Sequence, residues 1–417
     1  MLNIRKVQAF LLSFPMPERV HLPYYGGDRY IVKRDALLVR VEGENGLVGW
    51  GPGQGSQEAC DRINRVIAPF LEGRTLADPD ALRVLFQTGP GTDVEVLKAY
   101  CMVEVALYDL LGKFLGAPVS ELLGGRVRES VRLYGSAGMY QPPESYAAEA
   151  AGIAKLGFRA YKMRPALGPE DDLNTVRLMR EAVGPGVDLM VDAHSWWRMG
   201  DRSYSPETVR QLAKEMSEYD IAWLEEPLPP HDHEAYRKLR EEGWVPVATG
   251  EHEPNEAGFE DLIFNHCADY IQMDIVCQGG YAMGRRLFGS IAREGLRFAF
   301  HSWGNDLEVL AAAHLGVCWP ETVVEWLEYP VYTTPALKTM YPFPLATEIL
   351  KEPLEIHEGE LVVPNKPGLG IEVNEAVIQK YPWIPGPWSY FTLFSPKQTF
   401  AVTADHSMPW AGEIRQG

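Results

Sequence analysis

The sequence predicts a (β/α)8 barrel preceded by an α+β domain. Three observations predict it. Eight short apolar runs alternate with amphipathic helical stretches between residues 131 and 327. Polar residues close most of these runs at intervals close to one βα unit. Residues 1–125 keep a different rhythm, strands first and helices afterwards.

Ile4–Phe14 and Ala36–Val41 are β-rich, and Gly43–Gly46 supply turn chemistry before Leu47–Trp50. From Gln57 to Leu123 the pattern is helical, with Ala106, Leu107, Leu110 and Leu111 on one face and Gly112 and Gly116 closing it. The eight barrel runs are Val131–Tyr134, Ala160–Lys162, Leu189–Val191, Ile221–Leu224, Val245–Val247, Tyr270–Met273, Phe298–Phe300 and Val323–Leu327. A doubly wound open sheet competes, and the number of units favours the barrel. After Pro330 the rhythm stops. Residues 354–373 read as a turn-rich strand region, and Trp383, Trp388, Tyr390, Phe391, Phe394 and Trp410 make an aromatic tail that must pack on its own barrel or on a neighbouring subunit.

The chain has 417 residues, 46% hydrophobic and 23% charged, the balance of a globular protein. A net charge of −18 opposes docking on nucleic acid or an anionic membrane. It also repels a small anionic substrate, so a local cation has to reverse the potential inside any site for one. Cys60, Cys101, Cys267, Cys277 and Cys318 form no C-x-x-C pair, which disfavours a disulfide framework or zinc site and suits a reduced cytoplasm. Arg5-Lys6 before Val7–Phe14 has the order of a signal peptide, yet Gln8 and Ser13 interrupt the run, and it reads as a first strand. No run reaches the ~18 apolar residues of a membrane span.

The strand ends carry the chemistry. Lys162-Met-Arg164 ends the second run, Asp192-Ala-His194 the third, Glu225 the fourth and Glu251 the fifth; Asp274, His301 and Glu328 follow the sixth, seventh and eighth. From Lys162 to Glu328 the spacings are 30, 33, 26, 23, 27 and 27 residues, which in a barrel brings all of them to the C-terminal mouth. Asp192, Glu225 and Glu251 would crowd three carboxylates together, and such charges stay ionised only around a cation. All-oxygen ligation with room for substrate suits Mg²⁺, which can bind a substrate carboxylate and stabilise the dianion left when its α-proton departs. Asp274 accepting one ring N–H of His301 would make that imidazole a general base. Lys162, Arg164 and His194 stand across the mouth, and Glu328 could hydrogen-bond a substrate carboxylate if protonated or water-bridged.

Each of these residues has a plainer reading. One acidic residue after a strand is usually a helix cap or a solvated charge, and Lys162 and Arg164 alone would be solvated. Three carboxylates in register with an Asp/His pair resist that reading. Gly51-Pro-Gly-Gln-Gly55 lacks the context of a dinucleotide loop. His231 and His233 follow Pro229-Pro230 at a helix start. His252 would point to the opposite side of a continuing strand from Glu251, so all three histidines read as structural.

Ala106-Leu-Tyr-Asp-Leu-Leu-Gly112, Pro118-Val119, Leu122-Leu-Gly-Gly125, Lys162-x-Arg164, Asp192-x-His194, Trp223-Leu-Glu-Glu-Pro227, Gly250-Glu-His-Glu253 and Trp326-Leu-Glu-Tyr329 together resemble the enolase superfamily. Within it they are similar to the acid-sugar dehydratases of the mandelate racemase/muconate-lactonizing group. The resemblance covers residues 1 to about 373. It implies Mg²⁺ on Asp192, Glu225 and Glu251, a His301–Asp274 acid/base dyad, and a capping domain of residues 1–125 on a barrel of residues 126–330. Residues 331–417 would return to the cap and end in the aromatic tail. It further implies a substrate-closing loop over residues 15–30, with His21, Tyr24 and Tyr25, and a homo-oligomer. Arg164 stands where many relatives place a second basic lysine, and a guanidinium is a poor base, which disfavours two-base racemisation. Asp192-x-His194 resembles sugar-acid dehydratases in which this histidine assists departure of the 3-hydroxyl, whereas Gly250-Glu-His-Glu253 and Lys366-Pro-Gly-Leu-Gly370 are most similar to rhamnonate-type dehydratases. The activity implied is dehydration of a sugar acid to a 2-keto-3-deoxy acid. A racemase, epimerase or cycloisomerase is the alternative, and a catalytically silent barrel used for binding or assembly is a more distant one.

Overall fold

The computed structural model describes residues 1–404 apart from 336, 338 and 339. The chain opens with β1 (Ile4–Tyr24) and β2 (Gly27–Gly43), antiparallel along nearly their whole length, and β3 (Val48–Gly53) pairs with β2. The helix Val94–Leu115 lies on this sheet. Asp93 starts it by accepting the N–H groups of Glu95 and Val96, and Gly116 ends it at φ +70°. A Cβ on Gly51 would stand 2.1 Å from the Met102 carbonyl oxygen, and one on Gly49 the same distance from that of Ala106. The glycines of the Gly51–Gly55 run therefore begin as close-packing positions under a helix, not as a phosphate loop.

Residues 15–30 form the paired tip of the β1–β2 hairpin, where an irregular closing loop was expected. Pro15, Pro17 and Pro23 lie in β1, the outer strand of its sheet, whose register shifts between Pro15 and Val20. An edge strand with a bulge tolerates prolines because no partner needs their missing N–H groups.

Eight parallel strands follow: β4 (Ser130–Met139), β5 (Ala160–Arg164), β6 (Asp188–Asp192), β7 (Ile221–Glu225), β8 (Val247–Thr249), β9 (Tyr270–Met273), β10 (Arg297–Phe300) and β11 (Val324–Pro330). They pair in chain order, and β11 closes on β4. Each expected run thus overlaps a barrel strand, the fifth only at Val247, since β8 begins where that run ends. Inside lies a separate apolar layer with one residue from every strand: Tyr134, Ala160, Met190, Trp223, Ala248, Tyr270, Ala299 and Trp326. Large and small side chains interleave, with the Tyr134 and Trp223 rings edge to face at 5.4 Å. This layer is a solid floor, so the open end of the barrel is the mouth above it.

Beyond the barrel, β12 (Ile356–His357) and β13 (Glu360–Val362) form a hairpin, and β13 adds antiparallel to β4. The following stretch ties barrel to cap: Leu369 N–H donates to Asp109 on the cap helix at 2.8 Å, and His314 reaches the Leu369 carbonyl at 3.1 Å. Next, β14 (Ser389–Leu393) and β15 (Gln398–Val402) extend the cap sheet in the order β1-β2-β14-β15. The aromatic segment therefore packs on its own chain. Lys33 lies 4.1 Å from the Trp383 ring, and Arg29 and Arg34 each lie 4.9 Å from Trp388. Trp410 lies outside the described residues. The five cysteines are free. Among the described residues no helix is long and apolar enough to cross a membrane.

Candidate active site

The floor layer predicts the site. Side chains alternate faces along a strand, so the positions two residues beyond the floor point inward again. Those positions are Ser136, Lys162, Asp192, Glu225, Gly250, Gln272, His301 and Glu328. A second step gives Arg164, His194, His252, Asp274 and Trp303 among others. Only β8 departs from the rule. A Cβ on Gly250 would meet the Gln272 carbonyl oxygen at 2.4 Å, and its φ of +132° turns the chain out of strand geometry so that Glu251 swings to the mouth as well.

Lys162 is the hub of the lower tier. Its ammonium lies 2.8 Å from Glu225, 3.0 Å from Glu328 and 3.6 Å from Asp192, with no solvent exposure. Burial opposes its charge, but the three carboxylates hold its pKa well above the ordinary value. Arg164 bridges Asp192 at 3.1 Å and Glu328 at 3.2 Å, and its guanidinium stacks 4.0 Å over Trp303. Burial opposes its charge too; Asp192 and Glu328 outweigh that and raise its pKa. Arg164 therefore stays a cation. Glu328 accepts from Ser136 Oγ at 2.6 Å and the Ser302 N–H at 3.0 Å, and Lys162, His301 and Arg164 overcome its burial and hold it near 2. Glu328 is fully buried, engaged by these partners and absent from the cavity lining, so of the two expected contacts with substrate the geometry leaves room for the water-bridged one.

Two imidazoles line the cavity above. His301 Nδ1 meets Asp274 at 3.2 Å, and Asp274 is fixed by accepting the Val276 N–H at 2.8 Å. His301 Nε2 stands 3.2 Å from Glu251 and 3.7 Å from Glu328. Against the cost of burial, Glu251, Glu328 and Asp274 push this histidine up to about 10. His194 Nδ1 meets Asp192 at 2.7 Å, and there burial prevails and lowers the pKa. His194 follows β6 and His301 follows β10, four strands apart in a closed ring of eight, so they face each other across the mouth.

The cavity measures about 300 Å³, a volume within the range of small-molecule sites, and lies between barrel and cap. Arg164, Asp192, His194, Glu251 and His301 line it from the barrel, and Arg29 and Arg34 from the cap. Lys162, Glu225, Asp274 and Glu328 sit behind this wall rather than in it. Of the expected closing residues, Tyr24 packs 5.2 Å from Tyr140 beside the mouth, Tyr25 contacts Tyr204 and His21 stacks on Tyr30 while pairing with Asp28. None of the three lines the main cavity.

Sequence reading missed Arg29, Arg34, Arg198 and His252. His252 was expected to point away, but β8 ends at Thr249 and the ring enters the cavity wall. Arg198 donates to His252 Nε2 at 2.7 Å, so Nδ1 carries the proton and donates to Glu226 at 2.7 Å. Arg29, Arg34 and Arg198, with Arg164, supply much of the positive potential that a chain of net charge −18 needs in order to admit an anion.

Asp192, Glu225 and Glu251 offer carboxylate oxygens, the donor type a hard divalent cation takes. Asp192 and Glu225 are directly opposite in the β6–β7 register, and Glu251 follows β8. Burial pushes Glu225 up to about 8, with Asp192 and Glu251 adding to it against Lys162, and this excess of negative charge is what a divalent ion relieves. Asp192 and Glu225 are turned onto Lys162 and Arg164, while Glu226, Glu251 and His252 bring one ligand atom each within 4.8 Å of one another. The mouth is thus a possible acidic metal site, with Glu251 common to both groupings.

Family models agree with this architecture. The mandelate racemase/muconate lactonizing enzyme N-terminal domain matches residues 19–124, and the enolase C-terminal domain-like model matches residues 145–377. D-galactarolactone cycloisomerase of Agrobacterium fabrum is 29% identical over 91% of this chain and 99% of its own. L-rhamnonate dehydratase of Saccharopolyspora erythraea is 31% identical over 83% of this chain and 85% of its own. The crystal structure of the 3,6-anhydro-D-galactonate cycloisomerase from Zobellia galactanivorans superposes with a TM-score of 0.76 at 27% identity, covering 91% of this chain and 99% of that one.

Proposed function

The chain belongs to the enolase superfamily, and from that membership we propose that it dehydrates a sugar acid to the 2-keto-3-deoxy acid. The observation that carries this reading is the His301–Asp274 dyad on one side of a cation-rich cavity with His194 on the other. Asp192, Glu225 and Glu251 would hold Mg²⁺, whose charge, when bound, polarises the substrate carboxylate and lowers the acidity barrier at the α-carbon. Glu251, which would share its charge with the ion, stands 3.2 Å from His301 Nε2, the nitrogen placed to accept a proton. Asp274 fixes the ring and favours the imidazolium that forms. His301 takes the α-proton, the C3–O bond breaks, and the same proton leaves with the hydroxide as water. The enol that remains tautomerises to the ketone. His194, neutral and with Nδ1 on Asp192, offers Nε2 as an acceptor to a substrate hydroxyl. Arg164 stays charged and serves as a positioning cation.

Incubation of the Mg²⁺-loaded protein with a library of aldonates, deoxyaldonates and aldarates, with 2-keto acid detected as its semicarbazone, tests the reading. Keto acid from at least one of them, abolished by a chelator and restored by Mg²⁺, is the expected result. Deuterium entering the α-position of recovered substrate in D₂O without any keto acid would replace dehydration by racemisation or epimerisation. Conversion of a lactone or anhydro sugar acid without loss of water would place the chain with the cycloisomerases.

A further inference from the structure

Arg29 and Arg34, both from β2, face the cavity from the cap and are only 6% and 4% exposed. Among the described residues neither has a carboxylate at ion-pair distance. Arg29 spends Nε on Ser389 Oγ and Nη1 on Met139 Sδ, each at 3.1 Å, and both acceptors are neutral. Arg34 lies against the Tyr341 and Trp388 rings at 4.8 and 4.9 Å, and among the described residues its Nε and Nη2 have no acceptor. The adjacent Asp35 is already taken by Lys33 at 3.0 Å and Ser13 at 2.7 Å. Aromatic faces offset part of the cost of burying a guanidinium, but two neighbouring buried cations without a counter-charge are unfavourable. Burial and the like charge of Arg34 depress Arg29 to about 10, in keeping with that cost. A planar carboxylate arriving with the substrate would match the guanidinium forks and complete the balance.

Building on the sugar-acid reading above, we propose that this cap wall is a carboxylate subsite and that the substrate is a diacid, with one carboxylate toward Asp192, Glu225 and Glu251 and the other on Arg29 and Arg34. The barrel end then serves the chemistry, and the cap end selects chains that carry a second charge.

Matched pairs of equal configuration, galactarate against D-galactonate and D-glucarate against D-gluconate and so on through the hexose series, test it by kcat/KM in wild type, Arg34→Met, Arg34→Gln and Arg29→Met. The diacid of the best pair is expected to exceed its monoacid by about 100-fold, and either Arg34 variant to lose at least about ten times more on the diacid than on the monoacid. A preference for monoacids, or equal losses on both members of the pair, would overturn the subsite. Calorimetric titration of the same acids into His301→Asn, with Mg²⁺ present, reads binding without turnover. Arg34-dependent binding of diacids there, with no dehydration by wild type, would retain the subsite and remove the dehydration reading. Dehydration of monoacids unaffected by Arg34 would do the reverse.

Discussion

In His301→Asn, kcat on the accepted sugar acid falls by about three to four orders of magnitude, the range for losing a general base that also returns the proton. Any exchange of solvent deuterium into the α-position of recovered substrate is lost as well. Divalent-ion affinity stays level or tightens, because the substitution removes the cation 3.2 Å from Glu251. Steady-state rates and mass-spectrometric isotope counts on the purified variant read these outcomes. Turnover within tenfold of wild type would mean that another group takes the α-proton. The effect is large because no second base stands on the same side of the cavity: Arg164 is held charged by Asp192 and Glu328, Lys162 is sealed behind the cavity wall by three carboxylates, and His194 faces His301 from across the mouth.

The second large effect concerns stability. Lys162→Met leaves Asp192, Glu225 and Glu328 facing one another without their shared ammonium, and stranding buried charge in this way costs about 3–5 kcal/mol. The thermal midpoint of the variant therefore drops, and Mg²⁺ raises it more than it raises the wild-type midpoint, because the ion replaces part of the missing charge. The sign with pH follows from the carboxylates. Without Lys162 their folded pKa values rise above the unfolded ones, so the deficit is full at neutral pH and shrinks as pH falls and they take up protons. Wild-type stability in the variant at pH 7 would show that Lys162 is not what holds the cluster.

The barrel and the inward-pointing residues at its mouth were legible because strand ends are periodic. Each floor residue is apolar, two residues on stands a polar one in every strand but β8, and the interval between units is nearly constant, so Lys162, Asp192, Glu225, His301 and Glu328 are written in one dimension, with Asp274 one step further, just past the end of β9. What was not legible depends on contacts between distant segments. The strand pairing of residues 15–30 was not legible, since the sheet it joins is completed on the other side of β2 by β14, more than 350 residues later. Arg29 and Arg34 belong to no motif and acquire meaning only when β2 crosses the barrel mouth. Glu328 looked like a substrate contact because its position was readable and its partners were not. His252 was misread because the strand was taken to continue past Gly250, where a φ of +132° ends it.

Binding of Mn²⁺ followed by electron paramagnetic resonance, in wild type, Asp192→Asn, Glu225→Gln, Glu226→Gln and His252→Asn, tests the central claim most directly. One ion per wild-type chain is predicted, with affinity lowered by at least about 100-fold in Asp192→Asn and Glu225→Gln and by less than about 10-fold in Glu226→Gln and His252→Asn. Undiminished binding in Asp192→Asn and Glu225→Gln, with loss in the other two, would put the ion on Glu226, Glu251 and His252 and contradict the account.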